Sequence, residues 1–75
     1  MKRVRITYHM KRKGEIAETC ITLPMENAKA NQLLATQDEW WQLMAGAALD
    51  VLLSKLSILQ GYHFDSFVCA EEERA

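Results

Sequence analysis

The strict alternation of apolar and polar residues over residues 3–11 constrains this chain most. One set of alternate positions is apolar and the other is polar and mostly basic: Val4, Ile6, Tyr8 and Met10 against Arg3, Arg5, Thr7, His9 and Lys11. A period of two is typical of a β-strand with one buried face and one face in water. We therefore expect a half-buried strand here.

A hairpin turn is predicted directly after this strand. Residues 11–14 are polar and end in Gly14, the residue type that most readily adopts positive φ. We centre the turn on Arg12 and Lys13 and expect a second strand from Glu15 to Leu23. Its inner face should be the one without Glu18: Ala17, Thr19, Ile21 and Leu23. Pro24 should end this strand, because proline has no N–H to donate to a ladder.

One long helix is predicted between Gln37 and Gln60. Residues 36–39, Thr-Gln-Asp-Glu, fit the capping box of a helix start, and Gly61 fits the glycine that ends many helices. Residues 25–35 are rich in helix-forming types but too short to be stable alone, so they form either a short extra helix or a loop.

The remaining elements define the predicted topology. A third strand is expected from Tyr62 to Ala70, with either face buried, and residues 71–75 form a charged tail that should fray. The element order is then β-β-α-β. A right-handed crossover places the third strand beside the first. We therefore predict one α+β domain over residues 1–75, with a three-stranded antiparallel sheet of order 2-1-3 and one long helix packed on one face.

The small size of the chain favours oligomerisation. Its 75 residues, 49% of them hydrophobic, allow one marginal core. Small folds commonly gain stability from disulfides, a metal or oligomerisation. Residues 1–5 lead into a strand pattern and not into a signal peptide, so we expect a cytoplasmic chain in which Cys20 and Cys69 are buried thiols. Asp50, Ser54 and Lys55 interrupt the longest apolar stretch below membrane-spanning length, so no membrane partner is expected.

The predicted helix is too apolar for one sheet to cover. Its apolar arc spans roughly 200°, against a stripe of about 100° on an ordinary surface helix. Residues 25–35 could fold back over the surplus, or a second copy or another protein could cover it. The residues predicted for such an interface are Trp40, Trp41, Met44, Leu52 and Leu59. We therefore predict a small non-enzymatic interaction module, homodimeric, that binds through this surface or through an open strand edge.

Nucleic-acid binding is the alternative function. Six of the nine lysines and arginines precede Gly14, where there is no acid, although the net charge is −1. A basic sheet face with Phe67 nearby would suit single-stranded nucleic acid. The residues predicted for this role are Arg3, Arg5, Lys11, Arg12 and Lys13. The acids Glu18, Asp65 and residues 71–73 could instead neutralise this face across the strands.

No residue pattern predicts catalysis, a cofactor or a metal. The chain contains neither a G-x-S-x-G nor an H-E-x-x-H motif. His9, Cys20, His63 and Cys69 could share the open sheet face, but the predicted turn separates His9 from Cys20 by more than about 10 Å along the strands. A zinc ion needs its ligands about 2 Å away. We therefore predict no enzyme activity, no cofactor and no metal site.

Overall fold

A three-stranded antiparallel sheet with helices on one face forms the fold. The computed structural model describes residues 1–35, 49 and 51–73. The elements, in chain order, are β1 (Lys2–Arg12), β2 (Glu15–Met25), α1 (Asn27–Ala35), a second helix α2 that is described over residues 51–59 together with a helical Leu49, and β3 (His63–Glu72). The sheet order is β2-β1-β3, and both pairings are antiparallel. The predicted α+β class and sheet order are therefore confirmed.

The hairpin turn lies one residue later than predicted. Lys13 and Gly14 occupy it, with φ of 48° and 84°, and Arg12 pairs with Glu15. The tight turn that matches strand twist needs positive φ at both central positions, and glycine is favoured at the second. The predicted pairing register is thus wrong by two residues. The predicted faces survive, because a shift of two keeps every side chain on its own side.

Pro24 lies within β2 and does not end it, which corrects the predicted boundary. It is opposite Arg3, whose carbonyl accepts a hydrogen bond from the Glu73 N–H at 2.9 Å. The backbone amide groups of Arg3 therefore face β3 and not β2. The nitrogen of Pro24 faces the free edge of β2, where a missing donor removes no ladder bond.

Two helical segments lie between β2 and β3 in the described part of the chain. The predicted β-β-α-β order with one long helix is therefore not matched. α1 is nine residues long and begins with the bond from the Ala30 N–H to the Glu26 carbonyl, 2.9 Å. α2 coincides with the last part of the predicted helix. The rest of that prediction, residues 36–48 and 50 with the capping box, lies outside the described residues.

Gly61 ends α2, as predicted. Its φ is +81°, and its N–H donates to the Ile58 carbonyl at 2.9 Å. The Tyr62 N–H reaches back to the Ser57 carbonyl at 2.8 Å. This pair of bonds is the Schellman motif, which satisfies carbonyls that the helix itself leaves free.

The core lies between the inner face of β1 and the two helices. Its fully buried members are Val4, Ile6, Tyr8, Met10, Ala30, Leu33, Leu53 and Ala70. Of the inner residues predicted on β2, three pack against this core: Ala17, Ile21 and Leu23. The buried Ser57 hydroxyl donates to the Leu53 carbonyl at 2.8 Å, so it adds no unpaired polar group. Residues 27–35 are helix and not loop. This helix takes part in the core through Ala30 and Leu33.

β3 is irregular where β2 is regular. Its register against β1 shifts at Asp65 and at Val68, each of which has no opposite residue. The residues that pack on the core are consequently three apart: Phe64, Phe67 and Ala70. These shifts explain why a period of two could not decide which face of this strand is buried. β3 also continues through Glu72, into the segment for which we predicted a frayed tail; residues 74 and 75 lie outside the described residues.

Candidate interaction surfaces

The side of α2 that points away from the core carries large aliphatic side chains, and we call it the helix face. Val51, Ile58 and Leu59 are 56%, 61% and 82% exposed. At 100° per residue they lie on one side of the helix, opposite the buried Leu53. Lys55, also exposed, lies among them. The helix face is therefore an apolar surface with one cation in it.

Two of the five predicted interface residues lie in the described part of the chain. Leu59 is the most exposed residue of the helix face, whereas Leu52 is half-buried beside it. Trp40, Trp41 and Met44 lie outside the described residues. Sequence reasoning placed Val51 and Ile58 in the apolar arc but did not select them. Their spacing from Leu59 around the helix was the signal that could have done so.

The free edge of β2, which we call the β2 edge, is a second surface. No residue of β2 is fully buried, and no strand in the described part of the chain pairs with this edge. The N–H and C=O of Arg3 face β3. Because these directions alternate along each strand, the backbone N–H and C=O groups of the even-numbered residues of β2 point to the free edge. Their side chains lie on the outer face of the sheet: Ile16, Glu18, Cys20, Thr22 and Pro24. The register with β1 is unbroken over all eleven residues of β2.

The basic residues predicted for nucleic acid do not share one face. Alternation places Arg3, Arg5 and Lys11 on the outer face of the sheet, while Lys13 lies in the turn. Arg12 is on the inner side, with its guanidinium carbon 4.8 Å from the centre of the Tyr62 ring. Phe67 packs against the core and does not lie beside the basic face, which corrects that part of the interpretation.

Acidic side chains accompany the bases on the outer face. The Glu73 carboxylate accepts a hydrogen bond from the Thr22 hydroxyl at 2.6 Å and lies 3.9 Å from Arg5 Nε. The Thr22 hydrogen bond, together with the charges of Arg3 and Arg5, lowers the pKa of Glu73 despite some desolvation. Glu18 Oε1 lies 3.7 Å from His9 Nε2. This surface is therefore a mixture of both charges and not a uniformly basic patch.

Lys2 of β1 contacts both α1 and β3 through polar side chains. Its ammonium donates to Asn31 Oδ1 at 2.7 Å and lies 3.5 Å from Glu72 Oε1. The three groups join β1, α1 and β3 at the end of the core. One of the six N-terminal basic residues is thus committed to an internal contact.

The cysteines are free and flank one residue. Cys20 is exposed and Cys69 is half-buried, so the prediction of two buried thiols is wrong. Both are opposite Thr7, Cys20 from β2 and Cys69 from β3.

Among residues 1–35, 49 and 51–73, no three histidine, cysteine or acidic side chains are placed to hold a metal ion. Within the same ranges, no helix has the length and apolarity needed to cross a membrane.

Comparison with known proteins gives this chain no family. No family model matches it, and no match was found among curated proteins or among solved structures. An α+β sheet of this kind does not by itself imply an activity. The helix face and the β2 edge are therefore the basis for a functional proposal.

Proposed function

We propose that this chain is a small protein-interaction module that associates with a second copy of itself, and that the helix face takes part. The observation that carries the proposal is the exposure of Val51, Ile58 and Leu59 on one side of α2. A single exposed aliphatic residue is ordinary on a protein surface. Three that share one side of a helix are typical of an interaction site.

Two physical arguments support self-association. A chain of 75 residues has a marginal core, and binding of a second copy stabilises the folded state by mass action. Lys55 fits such an interface, because its aliphatic stem can lie on apolar surface while the ammonium stays at the rim. Trp40, Trp41, Met44 and Leu52 remain in the proposal as predicted contributors.

Sedimentation of the full chain tests this proposal. We expect the wild type to form a dimer at high micromolar concentration and the double variant Ile58→Lys/Leu59→Lys to be monomeric. A lysine at the end of a helix is compatible with the helix dipole, so the variant should keep its fold. The matched control is Ala28→Lys, which places the same side chain on an exposed position of α1 and should leave the dimer intact.

Two results would contradict the proposal. A strictly monomeric wild type that binds no hydrophobic dye would remove self-association. A double variant that associates as strongly as the wild type would remove the helix face from the interface.

The nucleic-acid alternative has less support. Of its five proposed residues, Arg12 lies over Tyr62 and Arg5 lies beside Glu73. Phosphate contacts made by Arg3, Lys11 and Lys13 would weaken steeply with salt. A flat titration against single- and double-stranded oligonucleotides at low salt would remove this alternative.

A further inference from the structure

We infer that β2 pairs with β2 of a second copy, antiparallel about a two-fold axis at Cys20, to make one continuous six-stranded sheet. The inference deepens the proposed function: it rests on self-association and adds a defined backbone contact that is separate from the helix face. Pairing of identical edges is isologous, so it closes at two copies.

The β2 edge has what strand pairing requires. Residues Ile16, Glu18, Cys20 and Thr22 present both N–H and C=O to the free edge, and Pro24 presents its C=O. The strand has no register shift along its length. Natural proteins protect edges with bulges, short strands, prolines and charges. Of these devices, β2 has one proline near its end, Pro24, and two carboxylates: Glu15 at its first residue and Glu18 on the outer face.

Glu18 and Pro24 restrict the register of pairing but do not prevent a second strand from pairing with the edge. β2 runs from residue 15 to residue 25, so only pairing centred on Cys20 uses all eleven residues. It places Glu18 opposite Thr22 of the second copy, a small uncharged side chain whose hydroxyl donates to Glu73 of its own chain. Pairing centred on Glu18 would place the two Glu18 carboxylates opposite each other, which is unfavourable. Pro24 would lie opposite Ile16, whose N–H its carbonyl can still accept.

The faces of the sheet agree in this register. Even-numbered residues lie opposite even-numbered ones, so both copies keep their helices on the same side of the joined sheet. On the inner face Ala17 lies opposite Leu23, and Thr19 lies opposite Ile21. The apolar surface of each β2, which is half-buried in the single chain, is thereby extended by that of the second copy.

The two-fold axis would place Cys20 directly opposite Cys20 of the second copy. Directly opposite residues of a hydrogen-bonded antiparallel pair have Cα atoms about 5.5 Å apart. This distance lies within the range of about 4.4–6.8 Å that a disulfide spans. The two Cys69 residues, on the distant strands, would be separated by five strand spacings, or about 24 Å. Cross-linking should therefore discriminate between two cysteines that both neighbour Thr7.

Oxidation with diamide tests the register. Two thiols lose two electrons and two protons to the diazene, which becomes the hydrazine, and one S–S bond forms. In a Cys69→Ser chain we expect Cys20 to give a covalent dimer on a non-reducing gel. In a Cys20→Ser chain, Cys69 should give none.

Two displaced thiols serve as matched controls. Glu18→Cys and Thr22→Cys, each combined with Cys20→Ser and Cys69→Ser, place the thiol on the same face two residues from the axis. Each introduced thiol is offset from its own copy by about 14 Å, so we expect oxidation at least about tenfold slower than at Cys20. When the two variants are mixed, they should cross-link to each other, because positions 18 and 22 are opposite.

The outcomes separate this inference from the proposed function. Linkage at Cys20 that is at least about tenfold faster than at positions 18 and 22 would support the β2 pairing, and slower linkage in the Ile58→Lys/Leu59→Lys variant would show that the helix face and the β2 edge belong to the same dimer. A chain that sediments as a dimer but links no faster at Cys20 than at positions 18 or 22 would overturn the inference and leave self-association standing. A chain that is monomeric at high micromolar concentration would overturn both.

Discussion

The two edges of the sheet are built differently. β2 pairs with β1 over eleven residues without a shift, whereas β3 shifts register at Asp65 and again at Val68. Each bulge bends the strand and increases its twist, which hinders a new strand from pairing along it. A molecule with one regular edge can form a closed pair, while one with two regular edges could continue into a filament. The asymmetry is therefore compatible with a dimer and unfavourable to further growth.

Of the changes that test this difference between the edges, proline substitutions in β2 should have the largest effects on stability and dimerisation. Thr19→Pro removes an N–H that faces β1, and leaving the opposite carbonyl unpaired should lower the free energy of unfolding by about 1–3 kcal/mol. Glu18→Pro removes an N–H that faces the free edge, so that free energy should change by less than about 1 kcal/mol while dimerisation is lost. Urea unfolding at dilute concentration and sedimentation measure the two effects.

The pair of proline variants can also break the assignment of the edge. Equal destabilisation by both would mean that the Glu18 amide belongs to the β1 ladder. A Glu18→Pro chain that dimerises like the wild type would move self-association away from β2.

Amide hydrogen exchange should show a smaller, concentration-dependent difference between the edges. The amides of Glu18, Cys20 and Thr22 should exchange about tenfold more slowly once roughly nine tenths of the chain is paired, since exchange then requires dissociation or opening. The amides of Asp65 and Val68 should keep their rates at all concentrations. Protection that rises equally at both edges would contradict a dimer formed through β2 alone.

The smallest predicted effect concerns the tie between the two outer strands. Glu73 follows β3 and accepts a hydrogen bond from Thr22 of β2, and its pKa is lowered chiefly by that bond. A lowered carboxyl pKa contributes stability above the ordinary pKa of the group, and this stability is lost as the pH falls through the lowered value.

Thr22→Val should therefore raise the pKa of Glu73 toward its ordinary value. The free energy of unfolding should then decrease less as the pH falls. Carboxyl carbon chemical shifts, titrated by NMR, measure the pKa directly. Thr19→Val is the control, because it makes the same replacement on the inner face of β2. An unchanged Glu73 pKa in Thr22→Val would show that the arginines, and not the hydroxyl, set it.

The regular half of the sheet was predictable from local signals. The alternation around Tyr8 identified β1 and its buried side, and Gly14 and Gly61 marked a turn and a helix end. The inner face of β2 followed from the position of Glu18. These features depend on period, turn chemistry and capping, all of which act within a few residues.

The surfaces were predictable only in part. Leu59 was selected from the apolar arc, but the exposure of Val51 and Ile58 depends on which side of α2 packs on the sheet. The β2 edge was recognised as open, whereas its full length was not, because Pro24 was expected to end it. Whether a proline ends a strand depends on the direction of its nitrogen, which the neighbouring strand determines.

The sequence by itself determined the strand pattern and the hairpin, which follow from side-chain alternation and from the φ angles that glycine permits, and the sheet order, which follows from the handedness of the crossover. Only the tertiary structure decided the bulges of β3, the turning of Arg12 toward Tyr62 and the inward position of Phe67. A bulge exists only in relation to a partner strand, and it moves every later side chain to the other face. The irregular edge, and with it the contrast to β2, therefore depends on pairing that no local pattern encodes.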